Sequence, residues 1–241
     1  SGSTSVIASR TLRTWGESES GLNERLFDVI DDLEKAGNPT LAFLASGWEG
    51  IKVRLTAKAT SAAEVTSLLD EWDAKVRQAI GDIVFGIDND TMESVVLDMI
   101  RSRGLTLGLA ESVTGGLVSG RLTNIPGSSD VLRGSVVSYA SEVKFDLLGV
   151  ANGPVVSESA AIEMAVGAKR VLGSSIGLAL TGVAGPAEQE GHKPGTLFVG
   201  LALPDGSTQS SMLQLPGNRD TMRQLSVISA LDMLRRAIRT L

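Results

Sequence analysis

The chain has 241 residues, 42% hydrophobic and 21% charged, with a net charge of −6, enough for one large domain or two modest ones with real cores. It has no cysteine and a single histidine, His192, which excludes disulfides, a thiolate nucleophile, most structural zinc sites and any His-rich metal centre. No apolar run reaches the ~18 residues of a membrane span and no signal-peptide pattern opens the chain, so no membrane partner is expected, and the cysteine-free composition fits a reducing cytoplasm.

Ser1-Gly2 reads as a cloning scar, and the absence of an initiating Met as the mark of a trimmed fragment. Val6–Leu12 is a predicted strand. Ser20–Lys35 carries Leu22, Leu26, Val29, Ile30 and Leu33 at helical spacing, and Asn38-Pro39 ends that helix. Leu41–Ser46 and Ile51–Lys58, the latter with Val53, Leu55 and Ala57 alternating, are strands around Gly47–Gly50. Ser61–Ile80 is an amphipathic helix with Glu64 placed as a capping-box partner for Ser61, and Ile83-Val84-Phe85 closes as a strand. The order β-α-β-β-α-β predicts a small split α+β sandwich.

All three tryptophans precede residue 90 and glycine becomes denser after it. A domain boundary is therefore expected near Gly86–Asp90, dividing the chain into 1–88 and 89–241. Residues 1–90 carry nine Lys/Arg against fifteen Asp/Glu, and residues 91–241 thirteen of each. The acidity thus lies in the first part, which argues against a nucleic-acid backbone as its partner.

Beyond the boundary strand and helix alternate. Asp90–Ser102 is a predicted helix, Leu105–Ala110 a buried strand, Gly115–Leu122 a helix and Gly134–Tyr139 a strand. Ser159–Leu172 is a helix capped by Ser157 or Ser159, and Ile176–Thr181 is another buried strand. Gly195–Leu203 and Thr208–Leu213 form a hairpin across Pro204-Asp205-Gly206, and Asp220–Leu241 is the closing helix. The class is α/β, a three-layer α/β/α domain with a mixed sheet preceded by the small α+β domain.

In open α/β sheets ligands bind outside the carboxyl ends of the strands. Three segments follow strands there: Glu111–Gly116, the stretch around Tyr139–Lys144, and Thr181–Pro186. The first is expected to turn on small residues into a helix whose leading N–H groups are unpaired and aimed at one point, a place for phosphate or an oxyanion. Ser112 is there either a helix cap or a nucleophile, and Thr114 adds a second hydroxyl. A serine nucleophile needs a base. His192 sits in a polar loop without a partner pattern; Lys144 and Lys193 are the alternatives, and either lysine would have to be buried or placed beside a cation to act as a base at neutral pH. Arg219 could meet a phosphate, pair with Asp220 or stand in solvent, and Gly127-Ser128-Ser129 offers another small anion-binding turn with the same ambiguity.

Taken together, Glu111–Gly116, Ile125–Ser129, Tyr139–Lys144, Val156–Glu158, Thr181–Pro186 and Lys193–Thr196 resemble, in order and spacing, the CinA C-terminal family. The resemblance implies a nicotinamide mononucleotide deamidase, which hydrolyses the carboxamide to nicotinic acid mononucleotide and ammonia without a metal or cofactor. It makes Ser112 the nucleophile, Lys144 its activating base and Tyr139 a group that assists proton transfer or orients the amide. Thr114, Gly115, Gly116, Ser128 and Gly182 become donors to oxyanion or phosphate, with Thr196 and Arg219 as ligand contacts. Val113 departs from the small cysteine of many relatives and narrows the space beside the nucleophile. Residues 1–88 are similar to the KH-like linking domain of longer competence-damage-inducible CinA proteins, which carry a preceding molybdopterin-binding-like domain that these residues do not include. Gly47–Gly50 reads Gly-Trp-Glu-Gly, an acid where an RNA-gripping loop needs a base, so no nucleic acid is expected. A homo-oligomer, a dimer, is the expected assembly; the alternative to the enzyme is a non-catalytic module that binds a nucleotide or a partner.

Overall fold

Every predicted strand is present in the computed structural model, which describes residues 5–45 and 47–241. Ser1-Gly2, and Ser46 at the end of the second predicted strand, lie outside the described residues. The chain divides into two units, Ser1–Met92 and Glu93–Leu241.

The first unit is a four-stranded antiparallel sheet, in the order β2-β3-β1-β4, built from β1 (Val6–Thr14), β2 (Thr40–Ala45), β3 (Ile51–Ala59) and β4 (Val84–Ile87). Alternation puts Val53, Leu55 and Ala57 of β3 in its core with Leu12, Val65, Trp72, Val76 and Ile80. The single helix expected over Ser20–Lys35 is two, α1 (Glu19–Arg25) and α2 (Phe27–Ala36). The break falls at Leu26, which is fully buried with its backbone turned to φ −97°, ψ 8°. Packing of that side chain outweighs the modest advantage of a continuous helix. Ser61 caps α3 (Ala62–Ile80) as expected, its Oγ accepting Glu64 N–H, and only the reciprocal bond differs: Glu64 Oε2 accepts the N–H and hydroxyl of Thr60, one residue before the cap.

The second unit is a five-stranded mixed sheet in the order β6-β5-β7-β8-β9. Within it β5 (Leu107–Glu111) lies between β6 (Leu132–Val137) and β7 (Ile176–Gly182) and runs parallel to both. The hairpin of β8 (Thr196–Ala202) and β9 (Thr208–Gln214) then adds antiparallel to β7. Around it lie α4 (Met92–Ser102), α5 (Leu117–Thr123), α6 (Ser141–Val143) with a π-helical turn over Lys144–Leu148, α7 (Glu158–Leu172) and α8 (Arg219–Arg239). Ser157 is the cap of α7, its hydroxyl accepting Ala160 N–H.

Helix α7 covers one face of the sheet, and α5 and α8 the other. The first contact is unusually intimate. Ala160, Ala161, Ala165 and Ala168 of α7 are buried there, and a Cβ on Gly177 or Gly200 would press into the carbonyls of Ala165 or Ala161. Glycine in the strands and alanine in the helix thus let backbone rest on backbone, which draws the strand ends and the start of α7 together. Substituting Gly200→Ala is expected to cost about 1–3 kcal/mol by overpacking, read as a lower urea midpoint with an unchanged slope.

Candidate active site

The turn after β5 is organised by Glu111, which is wholly buried. Its Oε2 accepts the Thr114 hydroxyl at 2.8 Å, Gly116 N–H at 3.1 Å and Val118 N–H at 2.9 Å. Its Oε1 accepts Ser119 N–H and the Ser135 hydroxyl, each at 2.9 Å. The amides expected to await an anion are therefore already satisfied by a carboxylate of the same chain. Helix α5 also begins two residues later than predicted, because Gly115 and Gly116 sit at φ 58° and 95°, a region that suits glycine. Thr114, Gly115 and Gly116 form this turn and do not line the cleft described below: the Thr114 hydroxyl and Gly116 N–H are held by Glu111, the Thr114 carbonyl by Arg223, and Gly115 N–H by the Ser112 carbonyl.

Ser112 continues the β5 ladder, its N–H donating to the Leu180 carbonyl at 3.0 Å. Successive side chains on a strand point to opposite faces, so Glu111 turns toward α5 and Ser112 toward the side covered by α7. There it lines a cleft of about 380 Å³ with Tyr139, Lys144, Thr181, Gly182 and Arg219. The Ser112 hydroxyl caps no helix; Gly116 holds that position in α5.

Lys144 is the unusual group. It opens the π-helical turn, is only 2% exposed, and donates from Nζ to the Ser138 carbonyl at 2.6 Å. Burial away from water lowers its pKa below the ordinary lysine value, opposed by the charges of Glu190 and Glu142. Among the described residues it has no ion pair, so one hydrogen bond to a neutral carbonyl is the compensation shown for its buried amine. Of the three bases left open by the sequence it alone lines the cleft. His192 stands edge-on to Phe198, with ring centroids 5.3 Å apart, and Lys193 is exposed on the loop beside it.

The rim is tied by Arg219, whose guanidinium donates to Tyr139 Oη at 2.8 Å and to the Gly185 carbonyl at 2.9 Å in place of the considered pairing with Asp220. Tyr139 is 61% exposed, so it stands at the mouth, above the buried lysine. Gly182 belongs to the cleft wall, and a Cβ there would strike the Thr196 carbonyl of β8. Two further candidates lie elsewhere. Thr196 is buried in the β8–β9 hairpin with its hydroxyl on Gln214, and Ser128 opens a 3₁₀ turn (Ser128–Asp130) leading into β6. Sequence reasoning left Thr181, Ser141, Glu188 and Gln189 unassigned, although all four line the cleft. No group of His, Cys, Asp or Glu among the described residues could hold a metal ion, and no described helix is long and apolar enough to cross a membrane. In the first unit the acid of Gly47–Gly50, Glu49, pairs with Arg13 and Lys52.

Fold and cleft define the chain as a two-unit α/β protein whose parallel strands end at a hydroxyl and a buried amine. The chain belongs to the CinA family: residues 89–238 match the CinA C-terminal domain, and residues 9–86 the damage-inducible protein CinA KH domain. A CinA-like protein of Frankia casuarinae is 46% identical over 242 aligned positions, covering 98% of this chain and 55% of the relative. Another, of Thermosynechococcus vestitus, is 40% identical, over 97% of this chain and 57% of the relative. The chain spans just over half the length of these relatives. Among solved structures, a competence/damage inducible protein from Agrobacterium tumefaciens is similar with a TM-score of 0.58 at 32% identity, over 61% of this chain and 93% of that one. A CinA superfamily protein from Klebsiella pneumoniae gives 0.60 at 25% identity, over 62% and 97%.

Replacing Glu111 by Gln keeps the size of the side chain but sets an NH2 against donors that need an acceptor. Hydrogen bonds to charged groups are worth roughly 1.5–3 kcal/mol each, and unpaired buried donors add a penalty, so Glu111→Gln is expected to lower stability by about 3 kcal/mol. Urea unfolding of the variant against wild type measures it.

Proposed function

We propose that the chain is an amidohydrolase of nicotinamide mononucleotide, releasing ammonia and nicotinic acid mononucleotide. The observation that carries the reading is Lys144: a buried amine with a lowered pKa, lining the same cleft as an uncommitted serine hydroxyl. A lysine whose pKa is lowered by burial can serve as a general base, and a serine in the same cleft as a nucleophile.

In this reading Ser112 Oγ attacks the carboxamide carbon as its proton passes to Lys144 Nζ. The amide C–N bond then breaks, and the lysine returns the proton to the departing nitrogen, which leaves as ammonia. Water attacks the resulting ester, again giving a proton to Lys144, and nicotinic acid mononucleotide departs as the proton returns to Ser112 Oγ. The hydrogen bond to the Ser138 carbonyl fixes one N–H of the amine, leaving its lone pair to receive the proton. In the Gly182–Gly185 wall the Val183 N–H is held by the Thr196 carbonyl, so the other amides of that stretch are the source of donors for the oxyanion, and Arg219 at the rim suits the substrate phosphate. Cofactor and metal have no part in these steps.

Ammonia release from nicotinamide mononucleotide tests the proposal. Wild type is expected to turn over, and Ser112→Ala to lose activity by about 10³-fold or more. Lys144→Ala is expected to lose about 10²–10⁴-fold in kcat, the usual worth of a general base, while substrate still binds. No turnover by wild type, or near-normal turnover by either variant, would overturn the assignment.

The pH dependence carries a sign. The active form is the neutral amine, so kcat should rise with pH as Lys144 loses its proton. Because burial lowers that pKa, the rising limb is expected below the ordinary lysine range, and a pH–rate profile reads it directly.

A further inference from the structure

Between Gly185 and Gly195 the cleft loop carries a carboxylate that the mechanism has not used. Glu190 has φ 50°, in the left-handed region that side-chain-bearing residues avoid, because with Gly191 at φ 77° it forms the corner of a tight turn closed by the two backbone hydrogen bonds between Gln189 and His192. Its Oε2 accepts Val156 N–H at 2.7 Å and its Oε1 accepts Val155 N–H at 3.1 Å. The Val155 carbonyl in turn accepts the Thr181 hydroxyl at 2.7 Å. Val155, Val156 and Thr181 line the cleft with Lys144. One two-pronged carboxylate therefore fastens the segment before α7 to the loop after β7, and through Val155 to the end of β7 itself.

We propose that Glu190 is a positioning residue for Lys144, fixing the cleft wall around the lysine and holding a negative charge within its electrostatic reach. This rests on the reading of Lys144 as the base. Two acids act on that amine, Glu142 on its own turn and Glu190 on the loop, and both favour the ammonium form. The other titratable groups lining the cleft are Tyr139, Glu188 and Arg219. A carboxylate beside an amine raises its pKa. Removing Glu190 therefore releases the proton at lower pH, and in the same stroke frees two backbone amides of the wall. A purely structural strap would do only the second.

The test follows Lys144 by NMR in the full chain labelled with 13C at lysine Cε, the resonance being assigned by its loss in Lys144→Arg. Amide exchange of Val155 and Val156 is read on the same proteins. In Glu190→Gln the lysine is expected to titrate at lower pH than in wild type, and both valine amides to exchange faster. Glu190→Gly, whose backbone accepts the positive φ without strain, is expected to do the same and guards against misfolding of the first variant. An unchanged Lys144 titration in both, or retained protection of the valine amides, overturns the proposal. These readings need no turnover, so failure of the deamidase reading shows separately, as absent ammonia release with the Lys144 shift still present. In the active enzyme the rising limb of kcat in Glu190→Gln should move to lower pH, with kcat and not KM carrying the change.

Discussion

The carboxylate of Glu111, sealed from water and surrounded by five hydrogen-bond donors, is the constraint on which the second unit is built. Isolated buried charge is among the costliest things a fold can contain, and it persists only where donors replace the lost hydration. Here those donors come from a hydroxyl, three backbone amides at the start of α5 and a hydroxyl on β6. The strand end, the glycine turn, the helix and the neighbouring strand are consequently locked to one atom pair. The positive end of α5 is neutralised from within. An anion has no reason to settle there, and the Glu111–Gly116 turn serves to present Ser112 toward the opposite face.

On that opposite face the logic is reversed. Lys144 is buried like Glu111, but its amine makes one hydrogen bond, to a carbonyl, while Glu142 and Glu190 act on it through charge alone. A charged group so poorly compensated responds by shifting toward its neutral form. The two buried ionisable groups thus divide the work of the cleft region: an acid fully hydrogen-bonded by the protein that fixes the backbone, and a sparsely hydrogen-bonded base able to take a proton. Strand geometry puts Ser112 on the side of the lysine and Glu111 on the other, since residues 111 and 112 fall on different sides of one sheet.

Much of this was legible from residue order. Apolar runs, alternation and helical spacing located the nine strands of the described residues, the mixed sheet and the long helices, because burial of apolar surface dominates those choices. The candidate dyad was nameable because the chain offers few alternatives: no cysteine and one histidine. What escaped was the fate of hydrogen-bond donors. The motif around Ser112 reads as an open helix terminus only while Glu111 is counted as part of a strand, and nothing in its neighbours announces that its side chain folds forward by five to eight residues. The break at Leu26 escaped for a kindred reason, because a helix-compatible pattern says nothing of how a buried leucine will seat. Glu190 was invisible because its role depends on a backbone conformation that no composition rule assigns to glutamate.

Arg219 draws its order from where it is rooted. It is the first residue of α8, a 21-residue helix whose later turns are buried in the core, while its guanidinium reaches outward to Tyr139 and Gly185. Its backbone therefore has little freedom left to lose. Two of its donors are already oriented, so part of the rotamer entropy of a long side chain has been surrendered before any ligand arrives. For an anion arriving at the rim, capture becomes an exchange of hydrogen-bond partners on a pre-ordered arm, with a smaller ordering cost than a free surface arginine would impose.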